Sequence, residues 1–196
     1  MSITALSSPQ DNPRPPRLWT RAEFHRAAEL GLFGPQERLE LIEGEILERM
    51  GENPPHSHAV RLSRRVLERC FRDQGAFLSE QHPVVLTDMS EPEPDLAVIA
   101  GDLDEFASRH PEPAEVLLLM EVANSTLPFD RTRKARIYAE SGIREYWILN
   151  LIDRYLEVHR EPQNGAYQSI TILAEDATVS PLAAPTAAIA VRDMLP

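Results

Sequence analysis

The sequence predicts an α/β fold in which a central sheet is flanked by helices and preceded by an N-terminal helix and hairpin. Three observations carry this. VLLLMEV, residues 116–122, is a near-continuous apolar run, as in a strand covered on both faces. A helical pattern from Asp130 to Glu140 separates it from a further strand, REYWILN. Upstream, Val60, Leu62, Val66, Leu67 and Phe71 keep close to helical spacing after Pro54-Pro55, which predicts a second helix, His56 to Phe71.

Residues 1–17 combine Ser, Gln and Pro with little to bury and are expected to form a disordered, proline-rich tail. At Thr20 the pattern changes. Thr20 and Glu23 match a capping box, Phe24, Ala27, Ala28 and Leu30 share a face, and Gly31 stops the helix. ERLELIEGEILERM then alternates around Glu43-Gly44 and predicts a hairpin with Leu39 and Leu41 on one face, Glu40 and Ile42 on the other. FLSEQHPVVL reads as a strand interrupted at Pro83, and Pro92 and Pro94 stiffen the approach to the strand DLAVIA.

Residues 101–114 are short, acidic and expected at the surface. Asp130 can cap the helix that Gly142 ends. REYWILN, RYLEVHR and AYQSITIL follow as strands, the last two joined at Asn164-Gly165, a strong hairpin signal. One domain therefore spans 18–175, and an Ala/Pro-rich segment, 176–196, closes the chain with a docked stretch from Ile189 to Leu195.

The composition, 42% hydrophobic and 26% charged over 196 residues, is that of a globular domain with a real core. No apolar run is long enough to span a bilayer, and residues 1–19 lack the features of a secretory signal, so the cytoplasm is the expected location and no membrane partner is expected. Cys70, the lone cysteine, is read as a small buried hydrophobe beside Val66 and Leu67. A net charge of −11 excludes a surface that grips a phosphate backbone everywhere and makes any nucleic-acid contact local. The arginines near residues 61–72 and 131–144 fit solvated helix faces.

Two strands each carry one carboxylate in apolar surroundings, Asp95 entering DLAVIA and Glu121 ending VLLLMEV. Such acids are costly to bury without a cation or donors. Lys134 is the candidate cation, the single lysine in a chain whose other basic side chains are arginine. Asp130, Lys134 and Tyr138 line one helical stripe. Two carboxylates with a lysine suit a hard divalent cation, Mg²⁺ or alternatively Mn²⁺, held by Asp95 and Glu121 with a substrate phosphate. The same three residues also fit a buried ion-pair cluster. His58, near a helix N-terminus, could meet a phosphate.

At these residues a resemblance becomes specific. Pro94-Asp95 followed by Glu121-Val122-Ala123 looks like the PD-(D/E)XK nuclease signature. More narrowly, LELIEGEI, EPEPDLAVI, EVANST, D-x-x-x-K-x-x-x-Y and GIREYWIL resemble the bacterial Uma-two family of restriction-endonuclease-like proteins, over about residues 18–160. The resemblance implies a restriction-endonuclease-like mixed sheet, Asp95 and Glu121 as metal ligands, and Lys134 as catalytic base or charge stabiliser. It also implies Glu40 as an additional acid and Tyr138 as a supporting residue. In the general signature the lysine lies two residues after the glutamate, where this chain has Ala123; the resembled family supplies it from the following helix, as Lys134.

The expectation is a Mg²⁺-dependent endonuclease acting on DNA as a homodimer. Two alternatives stay open: a catalytically silent fold used as a homodimeric interaction module, and a metal-dependent hydrolase of a smaller phosphoester.

Overall fold

A computed structural model of the chain describes residues 15–49, 51 and 53–196. Most of the tail expected over 1–17 lies outside them. Thr20 caps α1 (Arg21–Glu29) with the reciprocal Thr20/Glu23 box that the sequence predicts. The hairpin follows as β1 (Leu39–Ile42) and β2 (Glu45–Glu48), turning at Glu43 and Gly44, both with positive φ. Its two faces do not divide as alternation suggests. Glu40, Leu41 and Ile42 are all buried, because the hairpin lies under the 87–91 loop, with Trp19 N–H donating to Gly44 O and Gly44 N–H to Met89 O.

Helix α2 (Pro54–Phe71) starts where Asn53 caps it and Pro54 occupies its first turn, and it buries Val60, Val66, Leu67 and Phe71. The six-stranded sheet then runs β3 (Ala76–Glu80), β4 (Leu96–Ala100), β5 (Val116–Ala123), β6 (Glu145–Asn150), β7 (Tyr155–Gln163) and β8 (Ala166–Ala174), in that spatial order. Among the described residues only β5 and β6 pair in parallel, and the helical connection between them is what parallel pairing requires. The sheet is thus mixed and flanked by helices, as the sequence predicts.

Two differences are local. The strand expected through Leu86 ends at Glu80, since residues 81–95 leave the sheet to wrap the hairpin. Asp130 does not cap a helix. The helix begins earlier, as α3 (Leu127–Phe129) with Pro128 in its first turn, widens to π geometry over Asp130–Lys134, and continues as α4 (Ala135–Glu140). A π segment carries residues out of the ordinary i, i+4 stacking and often occurs at functional positions.

One sheet face packs Leu118, Met120, Trp147 and Leu156 beneath α2 and the C-terminal segment, whose Val179, Val191 and Met194 are buried there. The segment after 175 contributes two short strands, β9 (Thr178–Val179) and β10 (Ile189–Ala190), and completes this core. The other face packs Leu119, Tyr146 and Ile148 against Ile137 and Tyr138 of α4 and Ile42 of the hairpin. Each fully buried Leu or Ile contributes about 1.5–3 kcal/mol of transfer free energy. Cys70 is partly buried against the first cluster. Among the described residues no helix is long and apolar enough to cross a membrane.

Candidate active site

Strands β4 and β5 pair antiparallel with Leu96 opposite Met120, which sets Asp95, one residue before β4, across from Glu121. The backbone locks this arrangement. Asp95 N–H donates to Glu121 Oε2 at 3.3 Å, and Val122 N–H donates to Asp95 Oδ2 at 2.8 Å. The helix from Asp130 to Glu140 delivers Lys134 Nζ to within 2.9 Å of Glu121 Oε1, and Tyr138 donates its hydroxyl to the same oxygen at 2.9 Å. From the hairpin, Glu40 Oε2 lies 3.5 Å from the Lys134 ammonium and accepts Glu93 N–H at 3.1 Å. Asp95, Glu121, Lys134, Glu40 and Tyr138 therefore meet, and all five are buried.

His58 does not join them. It is exposed on α2, and His56 takes its place, with Nε2 3.1 Å from Asp95 Oδ2. The face of the helix decides this: His56 precedes the buried Ala59, Val60 and Ser63 by three, four and seven residues, the spacing of one stripe. His58 precedes Arg61 and Arg65 instead. That phase was visible in the sequence. Arg49, just past β2, is a second residue that sequence reasoning missed; its guanidinium is 3.1 Å from Glu93 Oε2 and 3.3 Å from Asp95 Oδ1. Asp130 is the third, buried and accepting the Thr126 hydroxyl at 2.6 Å.

Glu40, Arg49, His56, Asp95, Glu121, Asp130 and Lys134 line a cavity of about 400 Å³, together with Leu47, Asn53, Thr126 and Phe129. Among the described residues five that carry carboxylates, Glu40, Glu48, Asp95, Glu121 and Asp130, line it, against two fixed cations, Arg49 and Lys134. Burial works against the Lys134 charge, but Glu121, Glu40 and Asp130 outweigh it and hold the ammonium protonated well above its ordinary range. One ammonium cannot satisfy all of them. Burial, with repulsion from Asp95 and Asp130, pushes the Glu121 carboxyl up to about 8 against the pull of Lys134. Asp130 is raised to about 6, again chiefly by burial. Burial also acts on Asp95, yet His56, the Val122 amide and Lys134 outweigh it and keep that carboxyl below the usual Asp range.

The arginines around Lys134 are accounted for by acids outside the cavity: Arg133 and Arg136 pair with Glu43, Arg133 also with Glu45, and Arg131 with the buried Glu157. Among the described residues no three His, Cys, Asp or Glu side chains already form a ligand cluster. The oxygens of Asp95 and Glu121 are turned to Arg49, His56, Lys134, Tyr138 and backbone amides.

A mixed sheet with paired acids where β4 begins and β5 ends, and a lysine brought in by the next helix, defines a restriction-endonuclease-like fold. Residues 21–192 match the family described as "Uma2: Putative restriction endonuclease", and the chain belongs to that family. The fold is also that of a solved relative, described as "a putative nuclease belonging to DUF820 from Anabaena variabilis ATCC 29413". The two superpose with a TM-score of 0.70 at 20% identity, over 89% of this chain and 96% of that one. Comparison with curated protein sequences returns no match.

Proposed function

We propose that this protein is a metal-dependent endonuclease that hydrolyses DNA phosphodiester bonds, with Mg²⁺ or Mn²⁺ held by Asp95 and Glu121. The observation that carries the proposal is the charge of the cavity: among the described residues, five carboxylates against two fixed cations, with Glu121 driven to keep a proton near neutral pH. The donor set fits the ion, being oxygen-rich, acidic and built on two paired strands rather than on mobile loops. A bound dication supplies Lewis-acid polarisation of a phosphoryl oxygen and a lowered pKa for a coordinated water.

The chain's own residues divide the remaining work. Lys134 stays charged, which favours stabilising negative charge at the phosphate over acting as a base. Tyr138 and the Asp95 amide fix the Glu121 carboxylate, and the Val122 amide and His56 fix Asp95. Glu40 anchors the ammonium from the hairpin side. Asp130, raised to about 6, is placed to exchange a proton near neutrality.

Plasmid nicking tests the proposal directly. Wild type should cut in Mg²⁺ or Mn²⁺ and not in EDTA, while Asp95→Asn, Glu121→Gln and Lys134→Met should each lose at least about 100-fold in rate. Retained cutting in all three variants overturns it. The net charge of −11 favours one further reading, a hydrolase of smaller phosphoesters. Turnover of nucleotides or aryl phosphodiesters with no action on plasmid would select it. Edge strand β8 leaves Ile170 and Ile172 exposed, which supports self-association as a homodimer, measurable by sedimentation.

A further inference from the structure

We infer that Arg49 acts as an exchangeable cation in the candidate active site: it occupies the metal position of Asp95 while no ion is bound, and it turns to the substrate phosphate when one enters. This rests on the metal-dependent reading above and adds to it a residue and a direction of regulation.

The two oxygens of Asp95 are not equivalent. Oδ2 is fixed by the Val122 amide at 2.8 Å and by His56 at 3.1 Å, so it belongs to the scaffold. Oδ1 meets Arg49 Nη2 at 3.3 Å. Charge-assisted N–H···O contacts are ordinarily about 2.7–2.9 Å, so this one is stretched and weak for an ion pair. The other end of the guanidinium is better held, with Nη1 3.1 Å from Glu93 Oε2.

Arg49 is thus anchored on a residue outside the ligand pair and only leans on the ligand. Its side chain is 10% exposed and lines the cavity. Burial disfavours its charge, but Asp95, Glu121, Glu40 and Glu93 outweigh burial, so it remains a cation.

A dication bound at Oδ1 would repel the guanidinium, and the 3.3 Å contact to Nη2, the longer of its two, would be the one to open. The displaced Nη2 still has its anchor at Glu93 and now faces a cavity that receives an anionic phosphodiester. A planar guanidinium matches two phosphate oxygens, which a lysine at the same place would not. Arg49 therefore opposes metal binding and favours substrate binding, and these opposite signs separate the inference from a structural role.

The test uses the full chain and two measurements that need no turnover. Mn²⁺ titration calorimetry on Arg49→Met should show tighter binding than wild type, by about 3- to 10-fold, the size expected for removing one competing, partly buried ion pair. Anisotropy with a labelled duplex in Ca²⁺ should show weaker binding of the same variant by a similar factor. Arg49→Lys keeps the charge and loses the fork, so its Mn²⁺ affinity should stay close to wild type while its duplex affinity falls; it also serves if Arg49→Met fails to fold. Unchanged or weaker Mn²⁺ binding by a folded Arg49→Met overturns the inference and leaves the metal site standing. No Mn²⁺ binding by wild type at millimolar concentration overturns both together.

Discussion

Lys134 Nζ lies 2.9 Å from Glu121 Oε1 with both side chains buried, and it is the one lysine of the chain. Removing the ammonium leaves Glu121, Glu40 and Asp130 without their nearest cation, and Arg49, whose guanidinium is held by Glu93 and Asp95, compensates them only in part. Breaking a buried pair from one side costs about 3–5 kcal/mol, but here Glu121 can respond by holding its proton, so the lower end applies. Lys134→Met should therefore lose about 3 kcal/mol in urea melts at pH 8 and clearly less at pH 5, where the carboxylates protonate. A loss independent of pH would mean that the lysine contributes packing rather than charge.

The pH dependence follows from Glu121 itself. Its carboxyl is raised from 4.5 to about 8 in the folded chain, so between those values the native state holds a proton that the unfolded state has released. Stability falls as pH rises through this window and levels above it. Asp130, raised from 3.8 to about 6, adds to the slope in the acid half. Thermal melts of metal-free protein from pH 5 to 8 should show the decline, and Glu121→Gln should flatten most of it. Metal binding has the opposite sign: Mn²⁺ should bind more tightly as pH approaches 8 and release a proton, which calorimetry in buffers of different ionisation enthalpy reads directly.

Tyr138 gives a third prediction. Its hydroxyl donates to Glu121 Oε1 at 2.9 Å, a bond that favours the ionised carboxyl. Tyr138→Phe leaves that oxygen with Lys134 and should cost about 1–3 kcal/mol at pH 8. As a positioning residue it should also shift the midpoint of the activity profile to higher pH, because Glu121 then keeps its proton longer. A lower rate with an unmoved midpoint would assign Tyr138 to packing alone.

Much of this was legible in the sequence, for reasons that differ by residue. VLLLMEV could be only a doubly covered strand, and the Asn164-Gly165 turn has the positive φ at both residues that the dipeptide is suited to. Asp95 and Glu121 stood out because an acid in an apolar strand needs a partner, and Lys134 because of its rarity. Arg49 did not, since an arginine after a hairpin strand looks solvated until the chain around 93–95 is brought beside it, 44 to 46 residues further on. The C-terminal segment was legible only in its docked stretch, Ile189 to Leu195, which holds Val191 and Met194. Strands of two residues have no period to detect, yet Val179, Val191 and Met194 close a core that only long-range packing defines.

The hairpin that carries Glu40 and Arg49 depends on Gly44. Its φ is +78°, and a Cβ there would lie 2.6 Å from Leu18 Cβ, 2.8 Å from Met89 Cε and 3.2 Å from Trp19 N. Gly31 has a similar φ of +69° with nothing within 4 Å, so it measures the backbone cost alone. Gly31→Ala should lose about 1 kcal/mol, whereas Gly44→Ala adds a clash with Leu18 Cβ and Met89 Cε and should lose roughly 2–3 kcal/mol or more. The functional consequence separates them further. Moving the hairpin shifts Glu40 away from Lys134 and Arg49 away from Asp95, so Gly44→Ala should lower cleavage at a temperature where the protein remains folded, and Gly31→Ala should leave it near wild type. Equal losses in the two variants, by melt and by plasmid nicking, would detach the hairpin from the site.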